Sequence, residues 1–235
     1  MIAVVPARGG SKRIPRKNLV DFHGKPIISF PLNLLLDSEL FDEVIVSTDD
    51  DQIAEVAAGL GASVPFIRPQ HLATDYASTS EVVIHAVDDY IQRSLVEPPV
   101  VVVVYPTAVF LKNSDLIQML NVLKPPDIDH VMTVGRYAAP IQRAWVSSGG
   151  PHIHRLNPDT NLMRSQDLEV TYFDAGQAYA SVPSAWLRML NGEEVSTGMV
   201  ELEPRRVWDI DNPEDLEMAR LLYKFNQDQE PETTE

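Results

Sequence analysis

The stretch 2-IAVVPARGGSKRIPRKNL-19 decides the fold. Ile2 to Val5 read as a short strand apolar on both faces, and a diglycine turn follows almost at once. In a parallel α/β sheet, ligands gather beyond the carboxyl ends of the strands, and the loop after strand one is a usual place for phosphate. From Arg8 to Lys17 this loop holds Arg8, Lys12, Arg13, Arg16 and Lys17 and no acid, a charge of +5. The chain as a whole carries a formal −15, which leaves −20 for everything else. So acidic a surface repels nucleic acid and anionic membranes, and neither is expected as a partner. The basic loop points instead to a small anion held in one place.

Outward from that loop, apolar β-branched runs alternate with helical patterns. A helix is expected near 27–37, then VIVST, QIAEVAAGL, the VPFI run, STSEVVIHAVDDYIQR, VVVVY, SDLIQMLNVL and HVMTV. This alternation predicts an α/β fold with a doubly wound, mostly parallel sheet. VVVVY, apolar on both faces, is expected at its centre. Ser78 with Glu81 spells a capping box, and Asn212, Pro213 and Asp215 open a last helix. Between about 135 and 175 the pattern breaks down, and 147-SSGGPHIHRLNPDTN-161 reads as a hairpin or loop excursion. One domain over 1–226 is expected, with 135–175 as an inserted subdomain and 227-QDQEPETTE-235 as a disordered acidic tail. The chain has no cysteine, which removes disulfides and thiolate metal sites and fits a reducing compartment. The first thirty residues read unlike a secretory leader, and no stretch is apolar and long enough to span a membrane.

Gly9 and Gly10 let the backbone approach a ligand and expose N–H groups, while Arg8, Lys12, Arg13 and Lys17 can surround a polyphosphate with charge. GxGxxG is absent and GxxxxGK[ST] does not fit, so neither a dinucleotide fold nor a P-loop is indicated. At the other end of the chain, Asp209 and Asp211 in VWDID lie two apart, so on a strand both carboxylates share a face while Ile210 turns to the core. The pair suits Mg²⁺, which keeps waters and takes further ligands from substrate phosphate. Read alone, it fits equally a helix cap at Asp211 with an ion pair from Asp209 to Arg206. Asp49, Asp50 and Asp51 read as first-turn residues of a helix, with Asp49 near a nucleotide as the alternative. Thr79 and Ser80 open a helix, where capping and ligand contact are both open readings. His152 and His154 have no third ligand spaced nearby and predict no metal.

ARGGSKRIPRKN strongly resembles the first motif of the cytidylyltransferases that activate nonulosonic acids, the sialic acid type sugars, as CMP derivatives. The likeness continues in order through VSTDD, RPQHLATD, YPTA at 105–108, PIQRA, RSQDLE, YFDAGQ and WDID, over nearly the whole chain. YPTA, PIQRA and DAGQ resemble the branch acting on pseudaminic acid, whereas sialic acid members carry glutamine at the place of Tyr105. Ala178 and Ala180 in QAYA depart from that branch, which more often has aromatic residues there.

The resemblance implies a nucleotide-diphospho-sugar transferase-like fold, CTP and a nonulosonic acid as partners, Mg²⁺ on Asp209 and Asp211, a homodimer and a cytoplasmic enzyme of bacterial surface or flagellar glycan synthesis. It implies catalytic roles for Arg8, Lys12, Lys17 and Asp211. Ala7, Gly9, Gly10, Ser11 and Asn18 would join the first three around the triphosphate. Arg68, Ser80 and Tyr105 would serve the nucleotide. On the sugar side it places Gln142, Arg143, Asp174 and Gln177; an arginine can grip the sugar's carboxylate bidentately. Arg143 in a surface or interface ion pair is the alternative.

Overall fold

The computed structural model describes residues 1–160 and 162–229. Among them, six strands form one sheet in the order β10-β6-β9-β5-β1-β4, where β1 is Ile2–Pro6, β4 Glu43–Ser47, β5 Val101–Val104, β6 His130–Arg136, β9 Tyr172–Ser181 and β10 Thr197–Glu201. β1 runs parallel to β4 and β5, and β10 parallel to β6. β9 lies antiparallel between β5 and β6 and joins the two parallel sets. Two small hairpins complete the strands: β2 Asp21–Phe22 with β3 Lys25–Pro26, and β7 Trp145–Ser147 with β8 Ile153–Arg155.

Strand alternation builds two cores from one sequence. Ala3, Val5, Val44, Val46, Val102 and Val104 face one side, where they meet α1 (Ser29–Asp37), α2 (Asp51–Leu60) and α4 (Asn113–Val122). Ile2, Val4, Ile45, Val101 and Val103 face the other, against α3 (Thr79–Ser94) and α5 (Pro183–Leu190). VVVVY is thus a central strand buried on both faces, as expected. A third apolar cluster forms where α6 (Pro213–Gln229) packs under the β2–β3 hairpin. There Phe22, Phe30 and Tyr223 meet edge to face at 5.2 and 5.3 Å, beside Ile14 and Ile210.

The capping signals hold. Ser78 and Glu81 exchange the two bonds of a capping box. At the start of α6 the Asn212 N–H donates to the Asp215 carboxylate and the Asp215 N–H to Asn212 Oδ1. Two expectations change. VPFI contributes only one isolated bridge, from Ile67 to Thr48, with a second from the preceding Ser63 to Ile45, because the chain touches the sheet edge and leaves it. VWDID is extended but not a strand, since nothing pairs with it; the alternation survives, with Ile210 fully buried. α6 continues three residues past the expected domain end at 226, and 230–235 of the expected tail lie outside the described residues.

The irregular segment is the connection between β6 and β9, whose ends are pinned by the Arg136–Tyr172 pairing. It carries the expected hairpin, β7–β8, with the Arg155 guanidinium 4.5 Å over the Trp145 ring.

Behind the cleft described below, Arg206 is buried and donates to Asp115 at 2.6 and 3.1 Å, while Asp115 also accepts from the Lys112 N–H at 2.8 Å to start α4. Removing one partner leaves a buried charge uncompensated, so Asp115→Ala is expected to destabilise the fold by about 3 kcal/mol, read as a lower urea midpoint.

Candidate active site

The basic loop leaves β1 at Pro6 and is braced from below by the acidic triplet. The Gly9 N–H donates to Asp49 at 2.9 Å. Asp50 caps α2 by accepting from the Gln52 and Ile53 N–H groups, and also takes the Arg16 guanidinium at 3.0 Å. A Cβ on Gly9 would lie 2.8 Å from the Asp50 carboxylate, whereas one on Gly10 would meet nothing within 4 Å. Only the first glycine of the pair is required by close approach. Asp49 therefore serves the loop, and Asp50 serves both the loop and the helix.

Each of the five loop cations faces a carboxylate. Arg8 and Lys12 both reach Asp75, at 2.5 Å each. Arg13 and Lys17 both reach Asp211, at 3.0 and 3.3 Å. Lys17 also donates to the Ile210 carbonyl at 2.7 Å. A cleft of about 330 Å³ lies among these groups, lined by Arg8, Lys17, Asn18, Arg68, Asp75, Thr79, Tyr105, Asp209 and Asp211.

Asp211 does not cap α6, and Asp209 does not pair with Arg206, which is taken by Asp115. The structural alternative for the carboxylate pair is thereby removed. Among the described residues no third His, Asp or Glu joins the pair. Partial burial, then the charge of Asp211, raises the Asp209 carboxyl above the usual range, and Lys17 only partly opposes this. Two carboxylates crowded on one wall, one of them destabilised as an anion, fit a hard divalent cation that would complete its shell with water and phosphate oxygen.

Arg68 is buried, donates through Nε to Ser47 Oγ at 3.0 Å and through its guanidinium to the Ser47 carbonyl. Desolvation lowers its pKa to about 10, so it remains a cation at neutral pH. Asn18 holds the loop by donating to the Arg8 carbonyl at 2.9 Å. Thr79, rather than Ser80, lines the cleft, with its hydroxyl 2.8 Å from that of Tyr105. Tyr105 packs edge-on to Tyr179, which donates to Asp174 at 2.7 Å. Asp174 also accepts from the N–H of Gly176, a residue at φ +63 whose added Cβ would stand 3.5 Å from the Asp209 carboxylate.

Other expected residues lie elsewhere. Gln177 is buried behind the cleft, donating to the Arg206 carbonyl at 2.6 Å. Gln142 and Arg143 belong to the excursion: Gln142 donates to the Glu169 carbonyl at 2.9 Å, and Arg143 to Ser165 Oγ at 3.0 Å and the Met163 carbonyl. Neither lines the cleft of its own chain. Ala178 and Ala180 are fully buried in the main core, paired with Val104 and Val102, so they form no wall of the cleft. Asp75 was not foreseen; it stands 63 residues from Lys12 in sequence, and no spacing signal links them.

A cationic loop beyond the first strand of a doubly wound sheet, facing a carboxylate pair, is the arrangement of a nucleotide-binding α/β protein. The cytidylyltransferase family model matches residues 2–176, and the chain belongs to that family. It is 37% identical to a pseudaminic acid cytidylyltransferase of Campylobacter jejuni over 96% of this chain and 97% of that one. It is 31% identical to a CMP-N,N'-diacetyllegionaminic acid synthase of Legionella pneumophila, over 97% and 98%. Among solved structures, CMP:2-keto-3-deoxy-manno-octonic acid synthetase complexed with CTP shares the fold, with TM-score 0.70 at 18% identity, over 96% of this chain and 98% of that one.

The unequal roles of the two glycines set a test. Gly9→Ala is expected to push Asp50 aside and weaken pyrophosphate binding about tenfold, while Gly10→Ala leaves it unchanged; titration calorimetry on both variants reads the contrast.

Proposed function

We propose that this protein activates a nonulosonic acid, pseudaminic acid first among them, with CTP, giving the CMP sugar and pyrophosphate. The observation that carries the reading is the placing of the cationic loop and the Asp209–Asp211 pair on facing walls of one cleft. The near full-length likeness to the Campylobacter jejuni relative supports the choice of sugar.

The anomeric hydroxyl oxygen of the sugar attacks the α-phosphorus of CTP and gives up its proton to solvent; the bond from that phosphorus to the bridging oxygen breaks, and pyrophosphate leaves with the electron pair. No residue of the chain need form a covalent intermediate, so its work is positioning and charge neutralisation. Arg8, Lys12 and Lys17 neutralise the triphosphate and then the leaving pyrophosphate. The N–H groups from Gly9 to Ser11 add donors, and Arg68 and Thr79 border the nucleoside side. Asp209 and Asp211 would hold Mg²⁺, which when bound polarises phosphate oxygen as a Lewis acid.

The excursion supports a homodimer in which Arg143 reaches the sugar carboxylate in the partner's cleft. Trp145, Ile153 and Leu156 are each more than half exposed there, apolar surface that a second copy would cover. Since no helix among the described residues is long and apolar enough to cross a membrane, a role in the cytoplasm, where CTP is available, fits the reading.

The deciding experiment is pyrophosphate release with Mg²⁺ and CTP, run in parallel on pseudaminic, legionaminic and N-acetylneuraminic acids. Release with pseudaminic acid is expected; release with legionaminic acid alone would keep the reaction and change the sugar, and CTP binding without release would make the protein a binding module. Lys12→Ala and Asp211→Ala should each lower turnover by about a hundredfold with little change in thermal midpoint. Light scattering is expected to give the mass of a dimer, and a monomer would remove the role given to Arg143.

A further inference from the structure

Asp75, like Asp211, bridges two cations of the loop from outside it, accepting from Arg8 Nη1 and Lys12 Nζ at 2.5 Å each. It sits in a short segment between a 3₁₀ turn, Gln70–Leu72, and α3. That segment is held in shape at both ends. Thr74 Oγ1 accepts from the N–H groups of Tyr76 and Ala77, and the capping box fixes Ser78. Tyr76, the next residue, is 95% exposed, so the acid rides on the rim and not in the packed core. Asp75 nevertheless lines the same cleft as Arg8, Lys17 and Asp209.

We propose that Asp75 is an internal stand-in for phosphate: it occupies Arg8 and Lys12 in the empty site, yields them to the triphosphate, and reclaims them to expel pyrophosphate. The inference rests on the cytidylyltransferase reading. Its physical basis is competition for the same N–H donors. A carboxylate and a phosphate cannot both take the two cations, and the two anions repel when close. The pairs are well made, since Lys12 and Arg8 hold the Asp75 carboxyl below the usual carboxylate range. They are also exposed, with 82% of the Lys12 side chain open to solvent, and exposed pairs are weak enough for a triphosphate to displace. Pyrophosphate, stripped of its nucleoside contacts, meets a carboxylate tethered beside it at high effective concentration. Asp75 is thus a positioning residue whose effect falls on phosphate affinity and product release.

Titration calorimetry on the full-length protein with Mg²⁺, using pyrophosphate, CTP and cytidine in turn, tests this without any sugar. Asp75→Asn is expected to tighten pyrophosphate and CTP binding about fivefold, leave cytidine unchanged, and strengthen product inhibition by pyrophosphate. Asp75→Glu, which restores the charge, should behave as the unaltered protein. A purely structural role would instead loosen all three ligands. Unchanged or weaker pyrophosphate binding in Asp75→Asn, with the unaltered protein still binding CTP, would overturn the role of Asp75 and leave the cytidylyltransferase reading standing. Failure of the unaltered protein to bind CTP would overturn both.

Discussion

The ammonium of Lys17 reaches across 193 residues of chain to the Ile210 carbonyl, and touches Asp211 on the way. Much of the site's geometry follows from this contact, because it ties the loop after the first strand to the segment before the last helix. Either side alone would be self-repelling: five cations within ten residues on one, two carboxylates two residues apart on the other. Facing each other they are mutually stabilised. The spacing is not left to charge alone, since Ile14 of the loop and Ile210 of the acidic segment enter one apolar cluster with Phe22, Ile27 and Leu216. That cluster is the floor on which the two walls stand, and burial of its fully enclosed side chains contributes on the order of 2 kcal/mol each.

The sheet supplies the remaining precision. β1 and β4 end side by side, with Pro6 opposite Ser47, so the basic loop and the Asp49–Asp51 triplet emerge as neighbours. That adjacency brings the Gly9 N–H to Asp49 and Arg16 to Asp50. β9 contributes from the opposite side through the register slip between Met132 and Val134, where Gly176 at positive φ brings backbone close to Asp209. Asp209, partly buried and beside Asp211, is held above the usual carboxylate range there.

What the sequence made legible was whatever short-range periodicity controls. VVVVY, the Ser78–Glu81 box and the start of α6 at Asn212–Pro213 are local patterns, and local physics realises them. β9 was harder to read because Asp174 and Gly176 interrupt its alternation, and those two residues are the ones that serve the site. VPFI has the composition of a strand but finds no partner beyond one bridge, from Ile67 to Thr48. At the site, the basic loop and the aspartate pair were visible as clusters in sequence. The division of labour between Gly9 and Gly10, the inward turn of Gln177, and the bond from Asp75 to Lys12 depend on tertiary placement, which no spacing rule encodes. The alanines of QAYA show the converse: their period places them on the core side of β9, where they meet packing and not the cleft.

The excursion between β6 and β9 is tied off at its base by the pairing of Arg136 with Tyr172. Because its two ends are neighbours in the sheet whatever lies between them, the loop closes at no cost to the strands, and lengthening it adds only a slowly growing entropic term. The segment therefore behaves as a cassette. Residues 137–171 can change in length, apolar surface and charge while the basic loop, the carboxylate pair and the floor beneath them stay in register. Such an architecture confines change to a single contiguous insert, and it marks 136 and 172 as the natural joints for grafting that insert between relatives.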